Sequence, residues 1–66
     1  MKLRIDRESD ALFLWLDESS IVESEEVAPG VILDFNENEQ VVGVEILSLS
    51  QRVSKESIAN VSLETV

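Results

Sequence analysis

Most of the chain alternates between apolar and polar positions in a way that predicts β-strands. Residues Lys2–Asp6 place two aliphatic side chains on one side and charged side chains on the other, which is the period-two pattern of a half-buried strand. Residues Ala11–Leu16 are apolar throughout. Six residues between polar turns are short for a helix, so a second strand is expected there, with Phe13 and Trp15 on the same face.

The middle of the chain carries a glutamate-rich segment and then a break. Residues Ile21–Val27 include Glu23, Glu25 and Glu26, which are too many charges for a core strand. An edge strand or an extended connector is therefore expected. The next three residues read Ala-Pro-Gly. Because proline lacks a backbone donor, regular pairing is expected to stop there.

Two apolar runs of opposite parity flank a polar segment between Val31 and Leu47, and they predict a hairpin. If Asn38 and Glu39 form a two-residue turn, the apolar residues of the two runs meet on one face. The expected pairs are Phe35 with Val42, Leu33 with Val44, and Val31 with Ile46. A register shift of one residue would break every pair. The opposite face is mixed and carries Ile32, Asp34, Val41, Gly43, Glu45 and Leu47.

Short helical turns are expected in the C-terminal part of the chain. Ser48 and Gln51 have the spacing of a capping box, so a short helix should begin at the residue after the serine. A second start is expected at Ser54, with Ile58 and Ala59 as the buried contacts and Asn60 as a left-handed end. The predicted fold class is α+β. We expect one domain over residues 1–66, with a small antiparallel β-meander of about four strands and a short C-terminal helical segment.

Length and composition limit what such a fold can do alone. In a chain of 66 residues, the burial of apolar surface and the loss of conformational entropy nearly cancel. There is no cysteine and no histidine, which excludes disulfides and most structural zinc sites. Association is therefore expected to supply the missing stability. The lack of cysteine suits a cytoplasmic location, and no apolar run approaches the roughly 20 residues of a membrane-spanning helix.

The charge balance favours protein partners. Fourteen acidic residues against five basic ones give a net charge of −9. Such a surface repels phosphate backbones, so direct nucleic-acid binding is not expected. A small basic protein or a second copy of the chain is the expected partner. The alternative is that the acidic surface only keeps the protein in solution.

Metal sites and catalysis are not expected. Asp34, Asn36, Asn38 and Glu45 occupy the first, third, fifth and twelfth positions of a calcium-binding loop. The sixth position requires glycine and holds Glu39 instead. The three glutamates of the middle segment lack a fourth oxygen donor. Without histidine or cysteine, catalysis would depend on paired carboxylates or on a Ser-Lys arrangement such as Ser54 with Lys55 or Ser57. These serines are surface-type residues at a helix cap, so we expect no catalytic residue, cofactor or metal.

Two segments of the chain resemble a known family. RIDRESDALFLWL (residues 4–16) and VESEEVAPGVILDFNENEQVVGVEIL (residues 22–47) are similar to the small prokaryotic proteins of the domain of unknown function 2283 family. The resemblance covers about Leu3 to Arg52, and its APG and VVGVEIL motifs are fairly specific. It implies a fold more than a function and brings no catalytic residues. Some members are encoded beside small toxin-like proteins, so the resemblance implies an antitoxin-like partner role.

Two positions depart from the family pattern. Glu39 stands where the family commonly has glycine at the hairpin tip, so a longer loop or strain of about 1 kcal/mol is expected. Trp15 stands at a position that is often polar in the family. Phe13 and Trp15 are therefore the expected apolar contacts of an interaction surface, and the three glutamates of the middle segment are expected to steer the partner.

The function expected from these residues is that of a small acidic protein–protein interaction module. Either the C-terminal helix covers Phe13 and Trp15 within one chain, or another chain does. The alternative function is a stand-alone domain that binds a small ligand or nucleic acid without catalysis.

Overall fold

A computed structural model describes all residues, 1–66, and shows one antiparallel sheet of five strands. A 3₁₀ turn and a short helix follow the sheet. The elements are β1 (Lys2–Asp6), β2 (Ala11–Trp15), β3 (Glu23–Ala28), β4 (Val31–Phe35), β5 (Val41–Ile46), the 3₁₀ turn (Leu49–Gln51) and α1 (Lys55–Ala59).

The spatial order of the strands is β1-β2-β5-β4-β3. The antiparallel sheet with a short C-terminal helix agrees with the predicted α+β class. The strand count and order were wrong. The glutamate-rich segment, expected as an edge strand or a connector, forms an edge strand and makes five strands, and β2 pairs with β5 where a meander would continue in chain order. Composition explains the arrangement. The charged strands β1 and β3 lie at the two edges, and the three apolar strands lie between them, where they are flanked on both sides.

The hairpin of β4 and β5 has the predicted register over most of its length. Val31 pairs with Ile46 and Leu33 with Val44, whereas Phe35 pairs with Val41 and not with Val42. The shift arises because the tip is longer than a two-residue turn. The N–H of Asn36 donates to Gln40 O at 3.0 Å, and Glu39 has the left-handed φ of 60°, as in a type I turn followed by a bulge.

Strand pairing divides the side chains between two faces, since successive residues of a strand point to opposite sides. We call the first the apolar face. It consists of two rows that cross β1, β2, β5 and β4, namely Leu3, Leu14, Val44 and Leu33, and then Ile5, Leu12, Ile46 and Val31. We call the second the mixed face. Its rows are Lys2, Trp15, Gly43, Asp34 and Ser24, and then Arg4, Phe13, Glu45, Ile32 and Glu26.

The C-terminal segment is helical for only two short stretches. Ser48 has a φ of 53° and makes no capping bond, so the predicted capping box was wrong, although a 3₁₀ turn does follow it. Ser54 does cap α1, because its Oγ accepts the N–H of Ser57 at 3.2 Å. Ile58 is only half-buried and Ala59 is exposed, so the prediction that both are buried was wrong, because α1 packs against no strand extensively. Asn60 has a φ of −126°, which corrects the expected left-handed end, and its side-chain amide donates to Glu56 O.

The sheet has no second layer. Every extensive contact between elements joins neighbouring strands, and only six of 66 residues are buried. The accessible surface is 5177 Å², whereas a folded monomer of 7.4 kDa exposes about 4,200 Å². The radius of gyration is 12.7 Å, against about 11 Å for a compact domain of this length. No helix of the structure has the length and apolar character needed to cross a membrane.

Candidate functional site

Phe13 and Trp15 form an aromatic stack on the mixed face. Their ring centroids are 5.7 Å apart and their planes differ by 11°, an offset arrangement that aromatic pairs favour. Nζ of Lys2 lies 5.5 Å from the Trp15 ring centroid, within the range of a cation–π contact. Both rings are half-buried, and α1 makes no extensive contact with β2. The stack therefore presents part of its surface to the outside of the chain.

Asp34 lies beside this stack and is held by its neighbours on the sheet. It is 2% exposed, and its Oδ1 accepts a hydrogen bond of 2.6 Å from Ser24 Oγ. The carboxylate occupies the space above Gly43, because a Cβ at that position would stand 2.8 Å from Asp34 Oδ2. The glycine of the VVGVEIL motif thus makes room for a buried carboxylate between β4 and β5.

Glu45 is the second carboxyl of this cluster. It lies diagonally from Asp34, since Asp34 pairs with Gly43 and Glu45 pairs with Ile32. Burial raises the pKa of Glu45 above its ordinary value, and a hydrogen bond with Asp34 and the negative charge of that group raise the pKa further. The mixed face therefore carries, beside its aromatic stack, a half-buried carboxyl whose pKa is raised.

The three predicted steering residues all lie on the edge strand β3. Glu23, Glu25 and Glu26 are exposed, but they do not share one face. Glu25 continues the row of Leu33 on the apolar face, whereas Glu26 continues the row of Ile32 on the mixed face. No group of three or more acidic side chains is arranged to hold a metal ion.

Asn36, at the third position of the calcium-loop spacing, forms hydrogen bonds within the hairpin tip. Asn36 is 6% exposed, and its Oδ1 accepts the backbone N–H groups of Asn38 at 2.9 Å and of Gln40 at 3.0 Å. The side-chain amide of Asn36 donates to Gln40 Oε1. The oxygen that a calcium ion would need is therefore used to close the hairpin tip.

The sequence predicted only some of the contacts in this site. Alternation along β2 placed Phe13 and Trp15 on one face, and the structure agrees. The coupling of Asp34 and Glu45 was missed, although the predicted register already made them diagonal neighbours. A second missed contact joins the sheet to the 3₁₀ turn, where the carboxylate of Asp10 accepts from the N–H and the hydroxyl of Ser50 at 2.9 and 2.7 Å.

Comparison with known proteins bears on the fold. The family described as "Protein of unknown function (DUF2283)" matches residues 2–50, a span that contains all five strands and ends before α1. No curated protein and no solved structure matched the chain. The match confirms the resemblance seen in the sequence and extends over most of the chain. This protein therefore belongs to the DUF2283 family of proteins of unknown function.

Proposed function

We propose that the chain is a small acidic protein–protein interaction module that binds a basic protein partner through the mixed face. The observation that carries the proposal is the half-exposed stack of Phe13 and Trp15 on a face that no helix covers. Aromatic side chains are enriched at the centres of interfaces because they bury much area with few rotatable bonds.

The charges around the stack favour a basic partner. Glu26 is exposed and Glu45 half-buried, and both lie nearer β3 than β2 does on the mixed face, whereas Lys2 and Arg4 lie on β1. An arginine or lysine of the partner would meet carboxylates next to an aromatic surface, an environment that suits both its charge and its apolar stem.

The exposed glutamates of β3 and the net charge of −9 act at longer range. A strongly acidic surface raises the rate at which a basic protein is encountered, and this rate falls as salt is added. The antitoxin-like role implied by the family resemblance is a specific form of this proposal. A cytoplasmic location remains a prediction.

The proposal is tested by co-expressing the chain with the product of its neighbouring gene and measuring their affinity. We expect the two proteins to co-purify and Trp15→Lys to weaken binding by roughly 30-fold or more, since loss of an interface anchor costs about 2 kcal/mol or more. Val22→Lys is the matched control, because it makes the same charge change at a position that is 63% exposed and directly precedes the edge strand β3, which β5 and β4 separate from β2.

The salt dependence of binding supplies a second readout. A basic partner predicts weaker binding in 0.5 M salt than in 0.1 M salt, chiefly through slower association. The proposal fails if the neighbouring product does not bind, or if Trp15→Lys and Val22→Lys bind it equally well.

A further inference from the structure

The apolar face is the largest feature of the molecule that the mixed-face proposal does not use. Its eight aliphatic side chains form a continuous surface over four strands, and Leu3 at its edge is 40% exposed. The C-terminal segment borders this face only at one end, where Ile5, Leu49 and Ile58 line a common groove of about 410 Å³. The other seven side chains of the face are half-buried, and a contiguous apolar surface that no other element covers marks an interaction site.

We infer that a second copy of the chain covers the apolar face, so that the protein is a homodimer of two sheets stacked face to face. The inference rests on the proposed function, in that both treat the chain as an association module, but it assigns self-association to the face opposite Phe13 and Trp15. Each dimer then presents two mixed faces to its surroundings.

The exposed area of the single chain supports this occupant. The chain exposes 5177 Å², about 1,000 Å² more than a compact monomer of its mass. Residues 16–22 and the residues after α1 are exposed and have little regular structure, so they add to this area, as does a sheet with no second layer. Each partner in a standard protein interface buries about 800 Å². A copy stacked on the apolar face would therefore reduce the accessible surface of each chain to about that of a compact monomer of the same mass.

The order of residues along the rows of the apolar face favours one direction of the two-fold axis of the dimer. Two sheets stack about 10 Å apart with their strands nearly aligned. A two-fold axis that runs parallel to the strands over β5 reverses the strand order, so that β1 of one copy faces β3 of the other. Leu3 then lies over Glu25 of the second copy, Leu14 over Leu33, and Val44 over its own counterpart. The apolar residues of the central strands thus face one another.

Charge repulsion favours the same axis. In this arrangement the two β3 strands lie on opposite sides of the dimer, about 19 Å apart across four strand spacings, which exceeds the screening length of about 8 Å at physiological ionic strength. A two-fold axis perpendicular to the strands would instead stack β3 on β3. Glu23 and Glu25 would then face the same residues of the other copy, at the sheet separation.

The inference is tested first by the molar mass of charge variants in light scattering and sedimentation. We expect the wild-type chain to be a dimer and Leu3→Glu to weaken dimerisation by about 30-fold or more, because a charge at Leu3 would be placed next to Glu25 of the other copy. Leu3→Lys should dimerise about tenfold more tightly than Leu3→Glu, since its charge is opposite to that of Glu25. Arg4→Gln is the matched control, because it makes the same change of −1 in net charge at the next residue of β1, which belongs to the mixed face.

A cross-linking experiment tests the symmetry directly, since the chain has no cysteine of its own. Val44→Cys should be joined to its counterpart by a thiol reagent that spans the sheet separation of about 10 Å. Glu25→Cys should not be joined to its counterpart by the same reagent, because the two positions lie about 19 Å apart. The opposite result would refute the axis parallel to the strands.

The outcomes separate this inference from the mixed-face proposal. Circular dichroism would identify a Leu3 variant that fails to fold, and the cross-linking pair then decides. A dimer that Trp15→Lys dissociates and Leu3→Glu leaves intact would overturn the inference while placing association on the mixed face. A wild-type chain that stays monomeric up to about 1 mM would also overturn it, and the experiment with the neighbouring gene product would still decide the proposed function.

Discussion

At the scale of single residues, Gly43 shows how one missing Cβ shapes the site. The reason for glycine here is space, because the Asp34 carboxylate lies over the backbone of Gly43. A Cβ would stand 2.8 Å from Asp34 Oδ2 and 3.2 Å from Asp34 Cβ. The second of these contacts cannot be relieved by turning the carboxylate alone.

We therefore expect Gly43→Ala to destabilise the protein by about 1–3 kcal/mol, the usual effect of overpacking. Urea unfolding at fixed protein concentration would measure it. The control is to make Gly43→Ala in a protein that already carries Asp34→Ala and so lacks the opposing carboxylate. In that protein Gly43→Ala should reduce the free energy of unfolding by clearly less, because the effects of mutations at contacting residues are not additive. Equal costs in the two backgrounds would show that the carboxylate is not what requires glycine.

Glu45 makes stability depend on pH. Its pKa is raised in the folded protein above the ordinary value of 4.5, first by burial and then by Asp34. The folded state therefore holds this proton more tightly than the unfolded state does. The resulting stabilisation is complete below the ordinary pKa and is lost as pH rises through the raised pKa.

Glu45→Gln removes the titrating group while keeping its size and a donor for Asp34. We expect this variant to be more stable than the wild type at pH 7, with a difference that shrinks as pH falls toward 4.5 and then disappears. Urea midpoints measured from pH 4 to pH 8 would show it. Glu26→Gln is the matched control for the loss of one negative charge, because Glu26 is exposed on the same face. A gain that stays constant across this range would count against the carboxyl pair.

At the scale of elements, the sequence predicted the features that depend on residues close together in the chain. Alternation identified β1 and β2, and parity set the register of β4 and β5 at Val31 and Leu33. At Gly30, which has a φ of 72°, the Pro-Gly pair suits a type II turn between β3 and β4. Each of these features depends on residues that are close together in the chain.

The features that the sequence did not predict depend on distant residues. The pairing of β2 with β5 brings Leu14 opposite Val44, thirty positions later in the chain, and no local pattern encodes that choice. Ser48 had the spacing of a cap, but Leu49 donates its N–H to Asp10 O at 2.9 Å, so the contact with the β1–β2 turn determines the geometry there. The coupling of Asp34 and Glu45 required both the register and the knowledge that the mixed face is partly buried.

The two free edges of the sheet are both charged. Lys2, Arg4 and Asp6 project from β1, and three glutamates project from β3. The register of β3 also shifts between Glu26 and Ala28, which leaves Val27 as an extra residue. Charges and bulges at an edge discourage the addition of further strands. Association through the faces is therefore favoured over association through the edges.

At the scale of the whole molecule, the single layer of the sheet decides how the protein must behave. Neighbouring strands provide hydrogen bonds, but a sheet is stable in water only when at least one face is packed. Here α1 reaches only one end of the apolar face, and the core residues that are fully buried are few. In the dimer that we infer, a second copy of the chain supplies the missing layer.

Unfolding of such a dimer should depend on protein concentration, because the folded state contains two chains and the unfolded state one. Each tenfold increase in concentration should raise the apparent free energy of unfolding by about 1.4 kcal/mol per dimer, and the urea midpoint should rise with it. Leu3→Glu should lower the midpoint and weaken this dependence, whereas Arg4→Gln, with the same change in net charge, should preserve it. Midpoints that coincide over a hundredfold range of wild-type concentration would mean that one chain is stable by itself, and the apolar face would then have no structural need of a partner.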